Sequence, residues 1–283
     1  MLFSFATLKI KIRRLHSAFF NFPESFYKDY REFITSSNAP SDFTITIVPY
    51  DKISLSGIKF VRRQNHFYCE QKGTFIIKSR GAIAYLDGLN RKMSLGFKVS
   101  SSEKAKSKAL MAFVRLAASM CSVLSGGLPF HSSAIAFGNC GIAFSGPSGA
   151  GKSTIAKLLM TPGELLNDDL NILLPNRGSE YKIYSTPYAK RKMLKKSLNR
   201  GADLQTIFFI EKSASNKIEN LPFKNKYIFM LAQTFMFPLS DFLGKKILDN
   251  AERICESVQC KRLHFKNDGA IRPFITRYIG RLK

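Results

Sequence analysis

The residues Gly146-Pro147-Ser148-Gly149-Ala150-Gly151-Lys152-Ser153-Thr154 carry the pattern G-x-x-x-x-G-K-[ST] at every fixed position, and that pattern is a device for holding a polyphosphate. Glycine accepts backbone angles and close approaches that a Cβ forbids, so successive N–H groups can turn toward one anion. The ammonium of Lys152 is then placed for the terminal phosphates and the hydroxyl of Ser153 for a Mg²⁺ ion. A helix starting there adds the positive end of its dipole. The apolar run Gly141-Ile142-Ala143-Phe144 leads in and Ile155-Ala156-Lys157-Leu158-Leu159-Met160 leads out, so the motif has the strand, loop and helix it needs. A glycine-rich turn that merely joins strand to helix is the plainer reading, and the complete motif in this context disfavours it.

Two acids stand close behind. Asp168-Asp169 follows Glu164-Leu165-Leu166-Asn167, and the gap from Lys152 holds one helix, a Pro162-Gly163 turn and the start of a strand. That is enough chain to bring the pair back to the phosphate end of a sheet. Phosphoryl transfer demands charge neutralisation on the transferred group, a metal bridging phosphates and a base beside the attacking hydroxyl. Lys152 and the loop N–H groups meet the first demand, Ser153 with one carboxylate the second, and the adjacent carboxylate the third. Neighbours on a strand face opposite ways, so the two acids are expected to do different jobs. A helper role, capping the next segment or pairing with a lysine, is the competing reading. Before the loop, His131-Ser132-Ser133-Ala134-Ile135-Ala136-Phe137 reads as a strand, Gly138-Asn139 as a tight turn and Cys140 to Phe144 as the hairpin partner.

This ordered set, a histidine before a hairpin, Gly-x-Ser-Gly-x-Gly-Lys-Ser, a short helix and Asp-Asp, resembles the catalytic domain of HPr serine kinase/phosphorylase. It is still more similar to the HPr-kinase-related proteins of peptide-modification and polysaccharide gene clusters, over about residues 105–215. The resemblance implies an α/β P-loop kinase domain of the HPr kinase/phosphoenolpyruvate carboxykinase type over 101–283, preceded by a β-rich region over 1–100. It implies transfer of the γ-phosphoryl of ATP, with Mg²⁺, to a seryl hydroxyl of a peptide or small protein. Asp168 then takes the substrate proton and Asp169 meets Mg²⁺ directly or through water, with the reverse order left open. His131 touches the phosphates or the base. Ser132 stands where the bacterial HPr kinases usually have glycine, and Arg200-Gly201 only hints at their arginine-glycine loop. The kinase half is implied; phosphorylase activity and HPr as substrate are not.

The elements that must position these residues leave traces on both sides. Leu8-Lys9-Ile10-Lys11-Ile12-Arg13 alternates apolar and cationic residues, the mark of a strand with one wet face, and its lysines suit an exposed sheet edge. Ser36 to Pro40 reads as a loop. Short β-type segments at 43–48, 58–61, 66–70, 74–78 and 82–86, broken by Gly57, Gly73, Gly81 and Gly88, predict an antiparallel meander. Ser100-x-x-Glu103 predicts a capping box opening a helix through Leu110, Val114, Ala117, Cys121 and Leu124, which Gly126-Gly127 and Pro129 stop. The change of composition near residue 100 marks the domain boundary. Downstream come a turn over Tyr184 to Tyr188, a cationic stretch with Lys190, Arg191, Lys192, Lys195, Lys196 and Arg200, and a buried strand Thr206 to Ile210 ending at Glu211-Lys212. A helix over Phe242 to Val258 and a strand over Arg262 to Phe265 follow.

Composition bounds the remaining choices. With 283 residues, 45% hydrophobic and 23% charged, the chain should fold around a substantial core. The 44 Lys and Arg against 20 Asp and Glu leave a formal charge of +24, a field that draws polyanions without choosing among them. Five cysteines without metal spacing point to a reducing setting. Neither the start of the chain nor the run from Tyr227 to Leu239 has the length or composition of a signal or membrane segment. The expectation is a cytoplasmic protein acting on an acidic peptide or small protein, in a form that leaves homo-oligomers open. The alternative is a nucleic-acid-associated or switch-type P-loop NTPase. That reading calls for a distant apolar strand ending in a carboxylate, a γ-phosphate sensor and a nucleic-acid module, none of which the sequence presents.

Overall fold

Alternation along Leu8–Arg14 does make a strand, but its neighbours decide where that strand lies. The structure, a computed structural model, describes all residues except 16–23, 36–38, 54–60, 64–65, 72–73, 80, 162, 177–179, 189–198, 236–240 and 282–283. It is a mixed α/β protein with two large sheets and six helices among the described residues, and it divides into two compact units. One is built on Met1–Cys121 and the other on Ser122–Phe235 with Leu243–Lys283. The division thus falls inside a helix, whereas the compositional change lies near residue 100.

In the first unit, β1 (Leu2–Phe5) turns at Ala6, which takes φ 55, into β2 (Leu8–Arg14). Helix α1 (Glu24–Tyr30), β3 (Ile34–Thr35), β4 (Phe43–Pro49), β5 (Val61–Arg63), β6 (His66–Gln71), β7 (Thr74–Ser79), β8 (Ala82–Asp87) and β9 (Lys92–Phe97) follow. The nine-stranded sheet runs β3-β1-β2-β4-β9-β8-β7-β6-β5. Strand β2 is therefore interior, not an edge: the short apolar stretch before it folds back as β1 and covers its outer side, while Lys9 and Lys11 stay half-buried. Only β5 to β9 form the expected antiparallel meander, because β4 pairs in parallel with both β2 and β9. Phe3, Phe5, Phe33, Phe43 and Phe75 are fully buried in this unit. Ser36 to Asn38, Gly57, Gly73 and the first part of the predicted 58–61 strand lie outside the described residues.

Helix α2 (Glu103–Leu124) begins later than a capping box at Ser100 requires. The Ser101 N–H is held by the Lys98 carbonyl, and Ser102 Oγ accepts from the Ala105 N–H at 3.3 Å, so Ser102 is the cap. Glu103 is then the first helical residue and pairs with Lys106 at 2.8 Å. The stop is as expected: Gly126 takes φ 82, open to glycine at no steric cost, and the Gly127 N–H reaches the Ser122 carbonyl at 2.8 Å. By length and composition α2 could span a membrane, yet 67% of its apolar window is buried inside the protein, as in a core helix.

The second unit adds β10 (Leu128–Phe137), β11 (Cys140–Ser145), α3 (Lys152–Leu159), β12 (Glu164–Asn167), β13 (Leu170–Pro175), β14 (Tyr181–Tyr184), β15 (Gly201–Lys212), β16 (Lys217–Asn220), α4 (Phe223–Gln233), α5 (Asp241–Ser257), β17 (Gln259–Phe265) and α6 (Ile271–Gly280). Strands β10 and β11 form the predicted hairpin, closing at Phe137↔Cys140. The order β11-β10-β13-β14-β15-β17-β16 is joined by β12 on β10 and by a parallel pairing of β11 with β15. Strands β11, β15 and β17 run parallel, so their carboxyl ends gather where the loop begins. On one face Phe144 stacks on Phe208 at 5.7 Å, and Ile155 and Leu159 of α3 join Ile271, Ile275 and Ile279 of α6 over them. That buried apolar layer fixes α3, and with it the loop, against the sheet.

Candidate active site

The loop leaves β11 after Ser145 and enters α3 at Lys152. Gly151 takes φ 104, and a Cβ there would stand 2.6 Å from the Phe265 ring. Position 151 must therefore be glycine on two counts, backbone angle and the approach of β17. Lys152 is 8% exposed, and its Nζ donates to the carbonyls of Gly146 at 2.6 Å and Pro147 at 3.1 Å. The ammonium is thus drawn over the first two residues of the loop. Ser153 and Thr154 lie in the first turn of α3, half-buried, with the Thr154 N–H donating to the Gly151 carbonyl at 3.0 Å, and the positive end of the helix dipole there favours an anion. Ser148 and Gly149 are at the exposed crest of the loop, with Ala150 tied back by its N–H to the Pro147 carbonyl.

The acids do not lie on a strand. Asn167, the last residue of β12, sits opposite Ala134, and Leu170, the first of β13, opposite His131, so Asp168-Asp169 is a two-residue bend beside Ser132 and Ser133 of β10. The bend is held by one side chain. Asn167 Oδ1 accepts the N–H groups of Asp169 at 2.8 Å and Leu170 at 3.2 Å, and its Nδ2 donates to the Thr186 carbonyl at 2.7 Å. Thr186 Oγ1 in turn donates to the Leu170 carbonyl at 2.6 Å. Strand alternation is therefore not what separates the two carboxylates, but their surroundings still differ. Asp169, 6% exposed, meets His131, whose Nδ1 lies 2.6 Å from its carbonyl and 3.3 Å from Oδ1. Asp168 is 3% exposed, with its carbonyl at the long limit of a hydrogen bond from Ser133 Oγ, 3.5 Å. The loop and the bend are linked through β10: Ser145, the last residue before the loop, pairs with Ser132 and donates through Oγ to the His131 carbonyl at 2.7 Å.

Asn167→Ala removes these three buried hydrogen bonds and leaves two backbone N–H groups to seek new partners. The expected loss is about 3 kcal/mol, at about 1 kcal/mol per bond. For a chain of this size that lowers Tm by roughly 6–12 °C in a calorimetric scan. An unchanged Tm would mean that the bend holds itself without Asn167.

Two residues near the loop escaped the sequence reading as functional. The parallel register Ser145↔Phe209 and Phe209↔Arg262 carries Glu211 past the end of β11 and brings Arg262 level with Ser145. The apolar run Thr206 to Ile210 followed by Glu211 is the sequence signal for it, and β15 thereby supplies the distant apolar strand with a carboxylate near its end that the NTPase reading calls for. Arg262 lies 3.6 Å from Glu211, while His264 bonds Glu219 at 3.0 Å. Hydrogen bonds from Lys217 and then His264 hold the Glu219 carboxyl down at about 2. The cationic stretch Lys190 to Lys196 lies outside the described residues. Its last member, Arg200, is committed elsewhere: it pairs with Glu164 and donates to the Gly138 carbonyl at 2.7 Å, clasping the hairpin turn to β12.

Residues 99–260 match the family model described as SynChlorMet cassette protein ScmC. The match spans the loop, the acidic bend and β15 and leaves the nine-stranded sheet outside it. A comparison with curated proteins gives no match.

Proposed function

The chain belongs to the ScmC family of SynChlorMet cassette proteins, and we propose that it is an ATP- and Mg²⁺-dependent serine kinase acting on a peptide or small protein. In this reading the second unit is a P-loop kinase domain of the HPr kinase/phosphoenolpyruvate carboxykinase type. The observation that carries the proposal is the placement of the Asp168-Asp169 bend and His131 on β10, whose hairpin partner β11 ends at Ser145, directly before a complete G-x-x-x-x-G-K-[ST] motif. Ser153 and Asp169 would hold Mg²⁺, together with phosphate and water oxygens, and the ion would supply neutralisation of phosphate charge. Lys152 and the loop N–H groups orient the phosphates. His131 holds Asp169 by its backbone and its carboxylate together. Asp168, buried at the same bend, is the base that takes the seryl proton as the hydroxyl attacks.

A switch-type or nucleic-acid-associated NTPase remains the second reading, favoured by the strand β15, which runs parallel to β11 and whose apolar run is followed by Glu211, and by the charge of +24. Incubation with γ-labelled ATP and either acidic serine-containing peptides or single- and double-stranded DNA and RNA separates the two. The kinase reading expects label on peptide serine. Phosphate release stimulated by nucleic acid and weakening steeply with salt, with every peptide unlabelled, would replace it by the second reading.

A further inference from the structure

A recess of about 220 Å³ opens beside the loop. It is bounded by Gly146 and Pro147, by Phe209 and Glu211 of β15, by Arg262 of β17 and by Phe229 and Ala232 of α4. Phe209 and Phe229 pack with ring centroids 5.3 Å apart, and Arg262 lies over Phe229 at 5.6 Å. Its place relative to the chemistry follows from Lys152. The ammonium that reaches terminal phosphates in such loops is bonded to the carbonyls of Gly146 and Pro147, the same two residues that form one wall. The recess therefore adjoins the end of the loop where the transferable phosphoryl would sit, not the end where a base and ribose would extend.

Size and charge restrict the occupant. Pockets for whole small-molecule ligands begin at about 300 Å³, so this one accommodates a single side chain. Arg262 and Glu211 of the lining pair at 3.6 Å, so each meets the other's charge; apart from Gln233, the side chains that remain are aromatic and aliphatic. We infer that the recess is a specificity subsite for one aliphatic or aromatic side chain of the acceptor peptide, adjacent in that peptide to the phosphorylated serine. The inference rests on the kinase reading. It also separates two kinds of attraction: the basic field draws the acceptor in over a distance, and a short-range apolar contact sets its register at the loop.

The test has two arms. In the first, protein carrying ¹³C-methyl alanine is titrated with N-acetyl-leucinamide and with N-acetyl-glycinamide. A saturable shift of the Ala232 methyl with the leucine compound alone is expected, and its absence overturns the subsite whatever the enzyme does. In the second, acidic peptides with leucine, phenylalanine or glycine beside one serine are phosphorylated with Mg-ATP. Leucine and phenylalanine peptides should exceed the glycine peptide in kcat/KM by roughly tenfold to a hundredfold, the range expected for burying one large apolar side chain. Ala232→Phe, which fills the recess, should abolish that preference through the peptide KM while leaving the KM for ATP unchanged. Equal kcat/KM for the leucine and glycine peptides would overturn the inference and leave the kinase standing. A methyl shift with no labelled peptide would instead remove the kinase reading, and the acceptor role with it.

Discussion

Replacing Lys152 by alanine is expected to weaken Mg-ATP binding by roughly tenfold to a hundredfold, read by calorimetric titration. The figure follows from losing charge-assisted hydrogen bonds worth about 1.5–3 kcal/mol, with every 1.4 kcal/mol or so being tenfold. The fold should survive, because Lys152 stands at the first position of α3 while the layer of Ile155, Leu159, Phe144 and Phe208 that fixes this helix is untouched. Its Nζ also bonds two loop carbonyls, so a modest fall in Tm should accompany the loss of affinity. No binding by the folded wild-type chain, or equal binding by the variant, would remove the phosphate-loop reading of residues 146–154.

Asp168→Asn is expected to lower phosphoryl transfer to an acceptor peptide by roughly a hundredfold to ten-thousandfold, the usual contribution of a positioned general base, while ATP affinity stays close to wild type. An amide keeps the shape of the side chain but cannot take the seryl proton. Asp169→Asn should behave differently, raising the Mg²⁺ concentration needed for half-maximal rate, because its carboxylate is the one held beside His131 at 3.3 Å and assigned to the metal. Single-turnover kinetics across a Mg²⁺ series distinguish the pair. If Asp169→Asn abolishes transfer at every Mg²⁺ concentration and Asp168→Asn shifts the Mg²⁺ dependence instead, the two roles are exchanged. Transfer at the wild-type rate by Asp168→Asn would be incompatible with any catalytic role for that residue.

The loop, the hairpin before it, α3 and most of α2 were legible in the residues because their causes are local. Glycines at 126 and 151 mark angles that other residues resist, and Gly138-Asn139 marks the turn between β10 and β11. Apolar spacing of three and four set α2 and α5, and the chemistry of Gly-Lys-Ser set the loop. Ser102 displaced Ser100 as the cap of α2 because the turn after β9 uses Ser101 itself, and a serine three residues before a glutamate cannot report that. The acids form a bend where the sequence predicts a strand for a related reason: Asn167 captures the next two N–H groups, a competition that alternation of residue types does not record.

By itself the sequence determined the G-x-x-x-x-G-K-[ST] motif over 146–154, the acid pair that follows it and the basic character of the chain, since each depends on residue types a few positions apart or on a sum over all residues. Tertiary structure alone decided that β2 is interior and that β15 runs parallel to β11. It likewise decided that Glu211 and Arg262 stand beside the loop around a side-chain-sized recess. Parallel pairing joins segments far apart in the chain, and no local preference specifies which buried strand lies next to which; that choice is made by packing both faces of the sheet at once.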